Sequence, residues 1–365
     1  MNYNLDKTCY NLLLRNYPQY EVLRQELLKL FYRKALANGI TVDCYVNLNS
    51  YLSSLYKRTE YIYDEPMSIC ASIVNFAAHI REFFASRFSI STRIFLVYGA
   101  TRSENTIKYL PDYDAHNQMD REVKSIHANI NEDLTLLNIL APYIPQVYYV
   151  NNQDAEPAVL IREIIKQESS SGKKFPRIIF SKDLYDYQLV ATCPNTHLVR
   201  TKKTMQGDQT YTISFFDFYK KFNKTIKIKN PIGENISPEL YSIYMTLAGC
   251  KDRGVRSLIN YPRTDNLIKD RINTGILLNG YNPSFGVSPE SFKIFVESID
   301  PNDSTYILLY NRFCAMDIIH QSHLFELTPS YSSLYKNIVD LYDPDSVRQI
   351  NNQYFRKYPL DLNVF

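Results

Sequence analysis

No two cysteines of this chain form a C-x-x-C pair, although there are six: Cys9, Cys44, Cys70, Cys193, Cys250 and Cys314. Structural zinc sites need clustered ligands, so this scatter excludes one of the usual kind. The six histidines do not repair the deficit, because only His320 and His323 stand close together and no third ligand is near. Reduced, buried thiols are the expectation. Tryptophan is absent while tyrosine reaches 31. With plentiful Asn and Ile, that is the bias an AT-rich genome encodes, viral or otherwise. No apolar run approaches the roughly 18 residues of a membrane span, so no membrane partner is expected. The opening "MNYNLDKTCYNLLLRNYPQY" has no basic stretch leading into an apolar one. The expectation is therefore a chain without a secretory signal, placed inside a host cell or in a virion. An excess of one charge is missing too: 41 Lys and Arg face 38 Asp and Glu, a net charge of +3. The chain as a whole does not read as a nucleic-acid binder.

What is present is ordinary globular material, 45% apolar and 22% charged over 365 residues, enough for one large domain or two small ones. Charge gathers locally. Between Val199 and Pro231 eight basic residues, among them Arg200, Lys202, Lys203, Lys220 and Lys221, face only Asp208 and Asp217. This is either a field for phosphates or a solvated loop and strand edge.

Periodicity predicts a helix over 19–37, then a strand in "ITVDCYVNLNSYL" and a long helix over 66–88. Strands follow at 92–99, 146–150 and 177–181, with helices at 120–140 and in "AEPAVLIREIIKQE", where Pro157 occupies the first turn. "HLVRT" and "TYTISFF" suit a hairpin about Gln206-Gly207. Alternating strands and helices imply an α/β body, a mostly parallel sheet with helices on both faces. After about residue 235 the pattern turns helical. The expected organisation is a helical extension (1–40), an α/β domain (41–235), a helical, helix-turn-helix-like region (236–327) and a tail (328–365).

One further stretch carries chemistry. In "IIFSKDLYDYQLV" (178–190) an apolar strand ends in carboxylates, the way many metal-dependent nucleases hold Mg²⁺. It falls in order with "VNLNSYL", "FLVYG", "YLPDYDAHNQ", "NNQDAEPAVLIREII" and "YMTLAGCKDRGVRSL". Over roughly residues 40–320 this series resembles the flap endonuclease / 5′–3′ exonuclease family of PIN-like nucleases, in its phage form. "YLPDYDAHN" is similar to the family's Leu-Pro-x-Tyr-Lys-x-x-Arg. "SKDLYDYQLV" is similar to Ser-x-Asp-x-Asp-x-x-Gln-Leu-Val. "LAGCKDRG" is similar to Leu-x-Gly-Asp-x-x-Asp-Asn, which opens a helix-turn-helix-like grip on duplex backbone. The resemblance implies a PIN-like fold and two Mg²⁺ ions held by carboxylates at the carboxyl edge of the sheet.

Carried over by position, that acidic ring is depleted. The first two strand-end Asp positions fall on Asn47 and Gly99, and the Glu-x-Asp-Asp motif falls on Asp154, Glu156 and Pro157. The Asp-x-Asp pair falls on Asp183 and Tyr185, and the distal pair on Cys250 and Arg253. The basic residues of the arch segment fall on Asp114 and on Asn117 or Gln118. Asp154, Glu156 and Asp183 alone remain at motif positions, with Asp186 and Asp252 as neighbours. Plainer roles compete: Asp183 as a cap for a helix starting near Leu184, Asp154 and Glu156 as acids favoured by a helix dipole, Asp186 as a solvated first-turn residue. Tyr185 and Tyr187 suit either base stacking or packing. Arg253 suits a salt bridge to Asp183 or Glu156 that fills the site.

The expectation is a nuclease fold whose active site has degenerated, without enzymatic activity and without a cofactor. It would be kept to bind DNA, duplex or flap, or as a subunit of a viral replication, transcription or virion assembly. Lys202, Lys203, Lys220, Lys221, Arg253, Arg256 and Arg263 are its expected phosphate contacts. Two alternatives stand beside it. One is an active, divergent 5′ nuclease using Mg²⁺ or Mn²⁺ on Asp154, Glu156 and Asp183, with Asp186 and Asp252 in support. The other is a purely structural virion protein.

Overall fold

The computed structural model describes residues 41–56, 68–88, 91–111, most of 133–170, almost all of 176–213, 238–250, 255, most of 275–299, 303–325 and 348. The expected helical extension 1–40 lies outside the described residues, as does the tail apart from 348.

Six strands form one sheet in the order β3-β2-β1-β4-β5-β6. They are β1 (Thr41–Asn47), β2 (Ser91–Gly99), β3 (Val147–Asn152), β4 (Arg177–Phe180), β5 (Thr196–Thr204) and β6 (Gly207–Ile213). The first five are parallel, and β5 and β6 pair antiparallel as the expected hairpin. The α/β fold expected from the alternation is the one observed. Because both faces are covered, β1, β2, β3 and β4 carry continuous buried runs rather than an alternating pattern.

The period of two still sorts their side chains into two cores. On one face Val42, Cys44, Val46, Ile94, Leu96, Ile178 and Phe180 meet α1 (Leu48–Tyr56), α2 (Ser68–Phe88) and Leu134, Leu137, Leu140 and Ile144. On the other, Tyr45, Phe95, Val97, Tyr148 and Ile179 meet α4 (Pro157–Ser170) and α5 (Tyr187–Thr192). A short α3 (Glu104–Tyr109) follows β2. The second core continues into α6 (Tyr241–Ala248), α7 (Gly275–Asn279), α8 (Pro289–Ile299), α9 (Asp303–Met316) and α10 (Ile318–His323). Each large apolar side chain fully buried in this way contributes roughly 1.5–3 kcal/mol.

Several boundaries differ from expectation, each for a local reason. The strand expected across "ITVDCYVNLNSYL" ends at Asn47, where the side chain caps α1: its Oδ1 accepts from the Ser50 N–H at 3.1 Å. β-propensity after Asn47 yields to that cap. The helix expected near Leu184 starts at Tyr187, because Asp183 Oδ1 takes the Tyr185 N–H at 2.9 Å in a tight turn of its own. The run "TYILLYNRFCAMDIIHQ" is two helices. Asp317 leaves helical geometry and accepts from the His320 N–H at 2.8 Å, ending α9 and capping α10. A two-stranded sheet of β7 (Tyr281–Asn282) and β8 (Gly286–Val287) was not anticipated. α6 ends at Gly249, whose φ of 79° and ψ of 169° suit glycine alone.

Candidate functional site

The strand order reverses between β1 and β4, and their carboxyl ends open the crevice where such folds bind ligands. β1 delivers Asn47 there. Its Nδ2 donates to Asp186 Oδ2 at 2.7 Å, in a bond buried from solvent. The Ser50 hydroxyl donates to the Asn47 carbonyl at 2.9 Å and accepts from the Lys182 N–H at 3.2 Å. The end of β1 is thus tied to the segment after β4.

β2 ends at Gly99, held by Asn49 through two bonds: Nδ2 to the Gly99 carbonyl at 2.8 Å, and the Gly99 N–H to Oδ1 at 3.1 Å. The loop after β3 lies directly over this glycine. The Ala100 N–H reaches the Ala155 carbonyl at 2.9 Å. A Cβ at position 99 would stand 2.5 Å from that same oxygen and 2.9 Å from Pro157 N. Where the family resemblance sets a strand-end carboxylate, this chain has backbone in contact with backbone.

The remaining acids are dispersed around the edge. Asp154 is exposed, its N–H bonded to Asn152 Oδ1 at 2.7 Å. Glu156 is buried at 2% exposure and accepts from the Thr106 hydroxyl at 3.1 Å, which turns it towards α3. It precedes α4 rather than sitting in its first turn, and its carbonyl accepts the Leu160 N–H at 3.1 Å. Asp183 is half-buried and engaged with its own turn. Asp186, expected to be solvated, is 0% exposed and holds Asn47. Among the described residues no three His, Cys, Asp or Glu side chains come together in a group able to hold a metal ion. The two asparagine amides, moreover, point N–H donors into the edge. Among the described residues this donor set does not fit a divalent cation.

Tyr185 and Tyr187 are buried and serve packing rather than base stacking. The Tyr187 hydroxyl accepts from Arg200 at 3.0 Å, and that guanidinium lies 5.3 Å from the ring centre. Lys202 and Lys203 are on β5, opposite Gln209 and Asp208 of β6. Lys220, Lys221, Asp252, Arg253, Arg256 and Arg263 lie outside the described residues, as do Asp114, Asn117 and Gln118. So the proposed Arg253 salt bridge has no described counterpart. Cys250 and Val255 pair across positions 251–254, their N–H groups and carbonyls bonded at 2.8 and 2.9 Å. Burial pushes the thiols of Cys193 and Cys314 up to about 11, and those of Cys44 and Cys70 well above the ordinary value.

Sequence reasoning missed Asn49 and Ser50 as organisers of this edge. The spacing Asn47-x-Asn49 directly after a strand was the signal available for the first.

The bacteriophage T5 D15 protein, co-crystallised with metal ions, superposes on this chain with a TM-score of 0.52 at 12% identity, covering 82% of this chain and 98% of that one. The T5 D15 flap endonuclease in a pseudo-enzyme–product complex with DNA and metal ions gives a TM-score of 0.50, again at 12% identity and with the same coverage. The fold is that of the flap endonucleases and 5′–3′ exonucleases, a PIN-like α/β fold. No protein-family model and no curated protein matches the sequence. Among the described helices of this flap-endonuclease fold none is long and apolar enough to cross a membrane.

Proposed function

We propose that this flap-endonuclease fold retains nucleic acid without cleaving it, as a DNA-binding subunit of a viral replication, transcription or virion assembly. One observation supports the reading that the chemistry is lost: at the edge that would hold metal, Asn47 is bonded to Asp186 and backbone packs on Gly99. Two-metal hydrolysis needs carboxylate oxygens converging on ions a few ångström apart, and among the described residues no three acidic, His or Cys side chains form such a group. Support for DNA as the partner comes from the fold shared with the T5 enzyme, whose solved complex contains DNA. The basic stretch from Arg200 onwards adds to it. Lys202, Lys203, Lys220, Lys221, Arg253, Arg256 and Arg263 would contact phosphates, each adding about one unit to the salt slope.

The test is a titration against a labelled 5′-flap DNA with and without Mn²⁺, scoring retention and cleavage together. Retention without cleavage is expected, weakening with salt and with the double substitution Arg253→Ala, Arg256→Ala. Metal-dependent cleavage lost in Asp183→Ala would make this an active 5′ nuclease instead. One feature favours a second reading, a structural role in a particle: Ile294 on α8 and Ile307 and Leu308 on α9 are at least half exposed. That reading leads if no DNA is retained even at low salt.

A further inference from the structure

We infer that side-chain amides replace divalent ions at the carboxyl edge of the sheet, so that the edge is assembled and stays closed without metal. This rests on the reading of the fold as one that has lost its metal chemistry, and extends it to what now holds the strand ends together.

In a carboxylate-lined edge, mutual repulsion of the acids is relieved by the cations they bind. Here one source of that repulsion is missing, because Asn47 stands where the resemblance sets an acid. Asn47 brings a neutral amide to Asp186, and its N–H does the work of a cation toward the carboxylate at 2.7 Å. The same residue caps α1 through its Oδ1, which fixes the amide's orientation and leaves Nδ2 to face Asp186. Ser50, one turn on, gathers the segment after β4 through the Lys182 N–H, with Ser181 Oγ 3.4 Å away. Asn49 then fastens β2 to the same turn by its paired bonds to Gly99. Asn47, Asn49 and Ser50, within one α-helical turn, therefore join β1 to both of its neighbours in the sheet. Each contact is a hydrogen bond, and the two asparagines meet a carboxylate and a peptide with complementary donors and acceptors.

The consequence is that divalent cations regulate neither the folding of this edge nor any nucleic-acid binding that depends on it. The measurement is thermal unfolding of the full chain, without DNA, in EDTA, Mg²⁺ and Mn²⁺. Coincident melting curves are expected for the natural sequence. Asn47→Asp would set two carboxylates at hydrogen-bond distance, and should lower the melting temperature by roughly 5–10 °C in EDTA at neutral pH. Mn²⁺ or mild acid should restore part of that loss. The exchange Asn47→Asp with Asp186→Asn rebuilds the bond in the opposite sense and should recover stability in EDTA, a coupling the single variants cannot mimic.

The inference is overturned if Mn²⁺ raises the melting temperature of the natural sequence, or if Asn47→Asp melts with it in EDTA. An exchange variant no more stable than Asn47→Asp would also overturn it. None of these outcomes depends on DNA. Failure to retain flap DNA would instead strike the functional reading and leave the amide closure standing.

Discussion

Asp186 and Asp183 are separated by two residues and behave as opposites. Asp183 bonds its own turn and stays half-solvated, while Asp186 is fully buried against Asn47. In sequence both are acids after an apolar strand, and nothing local distinguishes them. The difference arises from a contact 139 positions away, which no periodicity reveals. Gly99 was legible only as a missing carboxylate. That the position admits no Cβ at all became visible once the loop after β3 was laid over it. Gly99→Ala should destabilise the fold by about 1–3 kcal/mol, since backbone atoms rather than a flexible side chain must move. Urea unfolding would measure it, and a neutral result would mean that the loop is not seated on β2.

Gln188 belongs to the "YQLV" segment, read at first only as part of a motif. Its Nε2 donates to the Met316 carbonyl at 2.9 Å and its Oε1 accepts the Ile318 N–H at 3.0 Å. Those are the backbone groups left open where Asp317 breaks α9 from α10, so one glutamine fastens the sheet's helix α5 to the C-terminal helices. Gln188→Leu strands both groups in an apolar core and should cost about 2–4 kcal/mol, read from denaturant midpoints. Helix α10 also carries His320, half-buried, with its Nε2 3.3 Å from the Tyr109 hydroxyl and the Tyr109 ring edge-on to it. Burial first, then His323, lowers its pKa below the ordinary 6.5. The folded form therefore refuses a proton that the unfolded chain accepts. Its contribution is whole above pH about 6.5 and is lost as pH falls through the depressed folded value. His320→Gln should flatten the stability profile below that pH in urea titrations at stepped pH. Most strands and helices of the described body were legible from apolar periodicity. Their ends were not, because caps such as Asn47 and Asp317 act through geometry that the pattern alone does not reveal.

At the scale of the molecule, the core on one face of the sheet does not stop at the boundary expected near residue 235. It runs from Tyr45 and Phe95 through α4 and α5 into Phe292, Phe313 and Met316 of the C-terminal helices. The change of periodicity there marked a helical region following the α/β body, and apolar surface from both parts is buried in one cluster. Calorimetry should give a single unfolding transition for the described body. Two well-separated transitions would mean that 236–327 folds by itself. The closeness of the Ala155 carbonyl to Gly99 also limits what position 99 can accept. An acid introduced there would meet backbone of the loop between β3 and α4 before it could meet any cation. Strand end and loop would have to change together, two coordinated steps rather than one.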